Sequence, residues 1–266
     1  MGKRKKEKKV STVKDRLFKE RFSANLAVDK EYGNILLGHM DEPEKIAQNI
    51  LLYIKRIKLT RLLTYYELFK PTIDLPGDIV ELGVFRGESL LTFARMLECF
   101  SMGDRNKMVY GFDHFKGLQD FSKEDGKSYK EVGKNVGGWC GGDYYQELKR
   151  LIELFDADRF VPLKQRIVLV EGDVKDTVPQ FVRDNSGIRI SLLHFDLDLY
   201  EPTKVGLEHL YDKVVPGGVI IFDEYSFRQF AGETIAADEF FKKRNLKPKL
   251  SKFPWFSNPG AYFFKE

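Results

Sequence analysis

The sequence predicts an α/β chain built on an open, doubly wound, mostly parallel sheet. Three observations carry this. Short apolar runs alternate with stretches of helical periodicity, as repeated strand–helix–strand units require. Each run is followed by glycine or polar residues, which suit the carboxyl edge of a parallel sheet. A break at Pro71, Pro76 and Gly77 separates this pattern from a purely helical one before it.

Taken in order, residues 1–21 form a basic tail with ten Lys/Arg against three Asp/Glu, a surplus of +7. Since the whole chain is only +4, the remainder is −3, and the tail reads as a solvated terminus with no function assigned to it. Residues 22–73 are expected to be accessory helices. Ile46, Ile50, Ile54 and Ile57 lie at helical spacing within Glu42–Lys58, and Leu62, Leu63, Tyr66 and Phe69 repeat the pattern over Leu59–Phe69. The main domain then spans 74–266. Its strands are expected at Asp78–Leu82, Met108–Phe112, Ile167–Val170, Ile190–Phe195 and Val219–Phe222. A sixth, Ala261–Phe264, has a direction that the pattern leaves open. The intervening helices are placed at Ser89–Phe100, Tyr144–Phe155, Asp176–Arg183, Pro202–Lys213 and Glu233–Arg244.

Composition narrows the function classes. With 266 residues, 42% of them hydrophobic and 14% aromatic, the chain can bury one sizeable core. No run approaches the roughly 18 apolar residues of a membrane span, and the first residues lack the apolar stretch of a secretory signal. Two cysteines, Cys99 and Cys140, suggest neither a disulfide framework nor a zinc cluster, so a cytoplasmic setting is expected. No membrane partner is expected, and the net negative body argues against nucleic acid.

The chemistry concentrates where strands end. The first runs into Glu81-Leu82-Gly83-Val84-Phe85-Arg86-Gly87-Glu88-Ser89, whose two glycines permit a tight turn and close backbone approach of a ligand. The spacing is neither that of the dinucleotide fingerprint nor that of a phosphate loop. Asp113 ends the second strand, where a carboxylate can accept from both hydroxyls of a ribose. Together with Glu81 it favours a nucleoside-cofactor site. Gly172-Asp173 follows the third strand, and Asp173 either meets an adenine amino group or caps the next helix.

The fourth and fifth strands end in Asp196-Leu197-Asp198 and Asp223-Glu224. Adjacent strand ends bring these acids to one edge, where their mutual repulsion calls for a cation. Oxygen-only ligands favour magnesium, manganese or calcium over zinc. Helix capping explains one or two of these acids but not their convergence. His194, inside an apolar strand, reads as a core histidine rather than a ligand. The segment Lys116–Asp143, rich in glycine around Trp139 and Cys140, has no periodicity and reads as a mobile cover, with Trp139 either a stacking surface for a sugar or ordinary surface packing.

Four ordered motifs then carry a resemblance: Glu81-x-Gly83-x-x-x-Gly87-x-Ser89; Gly111-Phe112-Asp113-x-Phe115-x-Gly117-Leu118; Leu193-His194-x-Asp196-x-Asp198-Leu199-Tyr200; and Gly217-Gly218 followed by Asp223-x-Tyr225. Over about Asp74–Phe264 the chain resembles the macrocin O-methyltransferase family. The resemblance implies a Rossmann-like class I methyltransferase fold with a seven-stranded sheet, S-adenosylmethionine as cofactor, and magnesium- or manganese-dependent methylation of a hydroxyl on a sugar or glycosylated natural product. By position it implies that Glu81, Gly83, Gly87, Ser89, Asp113 and Asp173 bind the cofactor. Asp196, Asp223 and Glu224 would hold the metal, and Asp198 would be the general base. The chain departs from the family at Glu224, where a second Asp is usual, and at His114, where Ser is usual. The alternatives are a nicotinamide-dependent oxidoreductase on a related fold and an RNA-directed methyltransferase or binding protein. The helices before Asp74 are read as a roof over the acceptor or a face for a homo-oligomer.

Overall fold

The computed structural model describes residues 26–127, 133–162 and 164–266. The basic tail lies outside these. The chain divides between Leu59 and Thr60 into two compact units. In the first, α1 runs through residues 26–37, α2 covers Pro43–Gln48, and a single 3-10 turn follows at Ile50–Tyr53. The continuous helix expected over Glu42–Lys58 is therefore broken. At the break, the Asn49 side-chain amide donates to the Lys45 carbonyl at 2.9 Å and shares that acceptor with its own backbone N–H, a local bond that suits a helix end.

Helix α3, Arg56–Phe69, crosses the boundary, and its residues from Thr60 onward belong to the second unit. That unit alternates β1 (Asp78–Leu82), α4 (Glu88–Phe100), β2 (Val109–Asp113), α5 (Tyr145–Asp158), β3 (Ile167–Glu171), α6 (Val174–Asp184), β4 (Ile190–Phe195), α7 (Tyr200–Leu210), β5 (Val214–Phe222), α8 (Ala231–Lys243) and β6 (Ala261–Phe264). The strands form one sheet in the order β3-β2-β1-β4-β5-β6, parallel except for β6. The order reverses between β1 and β4, the crevice where open α/β sheets place ligands. Among the described residues the sheet has six strands, not the seven that the resemblance implies. What remains beyond β6 is an isolated antiparallel bridge between Ser251 and Tyr262.

Strand β5 starts earlier than expected, at Val214. Pro216, Gly217 and Gly218 belong to the strand, where the Gly217 amide donates to the Lys265 carbonyl at 2.7 Å and the Lys265 amide donates to the Gly218 carbonyl at 2.8 Å. Elsewhere the apolar runs and the strands coincide to within a residue. All six residues of β4 are buried, as expected of a strand covered on both faces.

Period-2 alternation sorts the strand residues between two cores. Ile79, Val109, Ile167, Leu192 and Ile221 pack with Tyr65, Leu68, Phe93 and Leu148 from α3, α4 and α5. Val80, Leu82, Phe112, Leu193, Phe195 and Phe222 pack with Val178, Leu207 and Phe240 from α6, α7 and α8. The same alternation puts Glu81 and His194 on the first of these faces. They are direct neighbours across β1 and β4.

Gly83 makes the turn out of β1. Its φ is +90°, and a Cβ there would lie 1.8 Å from the Asp196 carbonyl oxygen, so no side chain fits. Gly83→Ala is expected to lower stability by about 1–3 kcal/mol or more in urea unfolding. Gly103→Ala, whose Cβ would meet nothing within 4 Å, should stay within about 0.5 kcal/mol of the parent. Equal effects of the two substitutions would show that the β1–β4 contact does not constrain Gly83.

Candidate active site

The carboxyl edge of the sheet gathers the residues that the motifs single out. Backbone ladders continue one step past the strands: Gly83 donates to Phe112, Asp196 to Leu82, and Asp223 to Phe195, all at 2.8–3.0 Å. Gly83, Asp113, Asp173, Asp196 and Asp223 therefore sit where the sheet ends. Gly87, φ +81°, stands at the N-terminus of α4, and its missing side chain leaves room for Leu148.

Asp113 is more heavily engaged than a ribose-binding role alone requires. Its Oδ2 accepts from the amides of Val84 and Phe85 at 2.9 and 2.8 Å, and its Oδ1 accepts from the Phe115 amide at 2.6 Å. A carboxylate offers about four acceptor positions, so the structure leaves about one for a ligand, not the two that ribose diol binding suggests. The carboxylate ties the β1 turn to the end of β2. Next to it, His114 Nδ1 accepts from the Lys116 amide at 3.1 Å.

Glu81 and Ser89 face inward. Ser89 Oγ donates to Glu81 Oε1 at 2.9 Å, and both residues are buried. The other oxygen, Oε2, lies 3.6 Å from His194 Nδ1. On its far side, His194 Nε2 is 3.7 Å from Asp223 Oδ1. These are ion-pair distances, longer than hydrogen bonds. Burial pushes the imidazole toward neutrality, but Asp223 and Glu81 outweigh it and hold the pKa up to about 10. His194 is thus a charged core histidine bridging two carboxylates. Asp173 accepts from the Lys175 amide at 2.9 Å and caps α6. Its other oxygen pairs with Lys175 Nζ at 3.2 Å.

Asp196 and Asp223 converge. One guanidinium nitrogen of Arg61, on α3, lies 3.8 Å from Asp196 and 3.7 Å from Asp223. Atoms of His194, Asp196 and Asp223 all fall within 4.8 Å of one another. Burial works against the Asp223 charge, yet His194, Arg61 and a 3.0 Å hydrogen bond from Asn258 together lower its pKa. Burial and the Asp223 charge push Asp196 the other way, well above the usual carboxylate range. Glu224 does not join that tight group. Burial raises its pKa well above the ordinary value, and the nearest strong influence after burial is Asp198.

Asp198 diverges from Asp196 because the chain turns between them. Its φ is +63°, uncommon outside glycine and a frequent mark of functional loops. Burial and Asp223 push its pKa up to about 7 against the pull of Lys134. Lys134, buried in the long segment after β2, donates to the carbonyls of Asp125 and Gln229. Asp125 in turn accepts from the Tyr200 amide at 2.7 Å, at the start of α7. Asp125 and Lys134 thus tie described parts of 116–143 to the start of α7 and to Gln229 before α8. Trp139 stays half exposed and meets Phe85 edge-on at 5.7 Å.

Four contributors escape sequence reasoning: Arg61, Lys134, Glu233 and Asn258. Glu233 is buried at the start of α8, and its Oε1 accepts from the Glu224 amide at 2.8 Å. Only the polar character of a position on an apolar helix face hints at it. The buried carboxylates outnumber the cations beside them. Asp223 Oδ1, Glu224 Oε2 and Glu233 Oε2 have no hydrogen-bond partner among the described residues. Orphaned buried oxygens and an all-oxygen acidic set fit a hard divalent cation.

A sheet in this order, with a glycine turn after β1 and an acid closing β2, is the class I methyltransferase architecture. The chain belongs to the macrocin-O-methyltransferase (TylF) family, whose profile matches residues 58–265. Demethyldecarbamoylnovobiocin O-methyltransferase of Streptomyces niveus is 29% identical over 177 residues, 66% of this chain and 63% of that protein. Mycinamicin III 3''-O-methyltransferase of Micromonospora griseorubida is 28% identical over 57% of this chain and 56% of its own. The chain thus spans less than two thirds of the length of these curated relatives. The crystal structure of CalS11, a calicheamicin methyltransferase, superposes with a TM-score of 0.81 at 31% identity, covering 88% of this chain and 90% of that one. An apo structure of CalS11, described as a TDP-rhamnose 3'-O-methyltransferase, gives 0.74 at 30% identity over 88% and 91%. Among the described residues no helix is long and apolar enough to cross a membrane.

Asp113→Ala is expected to lower stability by on the order of 2–3 kcal/mol without any cofactor, since three backbone amides lose a charged acceptor. Identical unfolding curves for variant and parent would mean that the carboxylate serves only a ligand.

Proposed function

We propose that this protein transfers a methyl group from S-adenosylmethionine to a hydroxyl of a sugar-containing small molecule, with a divalent cation, magnesium or manganese, at the acidic strand ends. The observation that carries the reading is the meeting, at one sheet edge, of the Gly83–Gly87 turn with Asp196, Asp198, Asp223 and Glu224. The family supports it, and the relatives' names point to glycosylated natural products as acceptors.

Glu81, Gly83, Gly87, Ser89, Asp113 and Asp173 make the cofactor side. The two glycines let the nucleoside approach the backbone, and Asp113 offers its remaining acceptor position to the ribose while fixing the turn. Glu81 and Ser89 act from beneath by holding β1 against α4, and Asp173 borders the same edge past β3. The cofactor supplies a methyl group made electrophilic by its sulfonium. Asp196, Asp223 and Glu224 would hold the cation, which would position the acceptor hydroxyl and lower its pKa. The alcohol oxygen forms a bond to the methyl carbon as the carbon–sulfur bond breaks, and the hydroxyl proton passes to Asp198. With a pKa near 7, Asp198 suits a proton acceptor at neutral pH. Family membership leaves the oxidoreductase reading without support.

Calorimetry should show S-adenosylmethionine or its demethylated product binding the purified protein and NAD failing to bind. With labelled cofactor and a panel of nucleotide sugars, glycosides and phenols, mass spectrometry should find label on a sugar oxygen. The signal should vanish in chelator and return with magnesium or manganese. Label appearing at full rate after exhaustive chelation would remove the cation from the reaction.

Asp198→Asn should slow single-turnover methyl transfer about 10²-fold to 10⁴-fold while leaving cofactor and metal affinity near those of the parent. Asp196→Asn should lose rate and metal affinity together and recover partly in excess magnesium. Rescue of Asp198→Asn instead would reverse the two roles.

A further inference from the structure

Arg61 is a permanent positive charge placed where the proposed cation would be held. We propose that Arg61 is the resident counter-ion of the Asp196–Asp223 pair and gives up that place when a divalent cation binds. The inference rests on the metal reading above and adds a residue to it.

Several observations converge on this role. The same guanidinium nitrogen faces both carboxylates, at 3.8 and 3.7 Å, so it screens the pair as one unit. Both distances exceed hydrogen-bond length, so withdrawing the guanidinium breaks no hydrogen bond to either carboxylate. Its hydrogen bond runs elsewhere. Nε donates to Tyr65 Oη at 2.7 Å, one helical turn along α3, and the guanidinium carbon lies 5.4 Å from the Tyr65 ring centroid. Arg61 is therefore anchored by its own helix and touches the acids only electrostatically. About a quarter of its side chain is exposed, which leaves water a route to the pair.

Arginine cannot shed its proton near neutral pH, so its charge can be moved or tolerated but not switched off. A full charge about 4 Å from both ligands opposes an incoming dication by an amount worth tenfold or more in affinity. In return it keeps the buried Asp223 and the half-buried Asp196 together when no metal is present. His194 faces Asp223 at Oδ1, whereas Oδ2 faces Arg61 at 3.7 Å and also accepts from Asn258 at 3.0 Å, a neutral donor that leaves Arg61 as the cation on that side.

The test is titration of magnesium and manganese into the parent, Arg61→Met and Arg61→Lys by calorimetry, with thermal unfolding of each in chelator and in saturating metal. Arg61→Met keeps the length of the side chain and removes the charge. It should bind either metal at least tenfold more tightly than the parent, melt several degrees lower in chelator, and recover most of that loss in metal. Arg61→Lys retains the charge, and its metal affinity should stay within about threefold of the parent. It also supplies the comparison if Arg61→Met does not fold. A lysine variant that binds metal tenfold more tightly than the parent would then overturn the role of charge. Metal binding in the parent with equal or weaker binding in Arg61→Met overturns the exchange alone. No binding in any of the three proteins overturns the metal reading and the exchange with it.

Discussion

A row of buried charge across three neighbouring strands is the constraint on which the site depends. Glu81, His194 and Asp223 stand side by side on β1, β4 and the end of β5, on the face covered by α3 and α4. None of the three can be desolvated alone, since burying an unpaired charge costs several kcal/mol. Together, with Arg61 closing the row at Asp223, their charges offset one another at 3.6–3.7 Å although no hydrogen bond joins them. The arrangement joins Glu81 on β1 to the acidic strand ends through one imidazole. A change at either end is felt at the other, because each carboxylate has His194 as a counter-ion.

Surplus acid beside this row has an opposite character. Asp196, Asp198, Glu224 and Glu233 are all pushed toward their protonated forms, mainly by burial and then by neighbouring carboxylates, Asp223 foremost for all but Glu224. Asp223 alone is pulled down, because it holds the cations. The site thus contains one carboxylate committed to its charge and several whose charge awaits a partner. This division follows from position: Asp223 lies between Arg61 and His194, whereas Asp198 turns away at positive φ.

Loops carry much of the positioning. Asp113 binds three amides and so makes the β1 turn and the segment after β2 a single piece. Asp125 and Lys134 link their own stretches of chain to the start of α7 and to the chain before α8. Buried polar side chains bonded to backbone are costly to move, which gives these irregular segments the rigidity that secondary structure would otherwise supply.

The strands, the two-sided core and the six acids at the carboxyl edge were legible in the sequence, because alternation with period 2 and helical spacing are local properties of the chain. Glycine at 83 was legible for the same reason: the turn after a strand demands it wherever the rest of the molecule lies. Which acid meets which cation was decided only in three dimensions. Arg61 comes from a helix before the sheet, Asn258 from the segment before the last strand and Glu233 from α8, and no spacing links them to Asp223 or Glu224. The number of amides on Asp113 and the reduction of a seventh strand to one bridge are likewise outcomes of packing between distant segments. Local periodicity determines where a side chain leaves the backbone; long-range packing decides what it finds there.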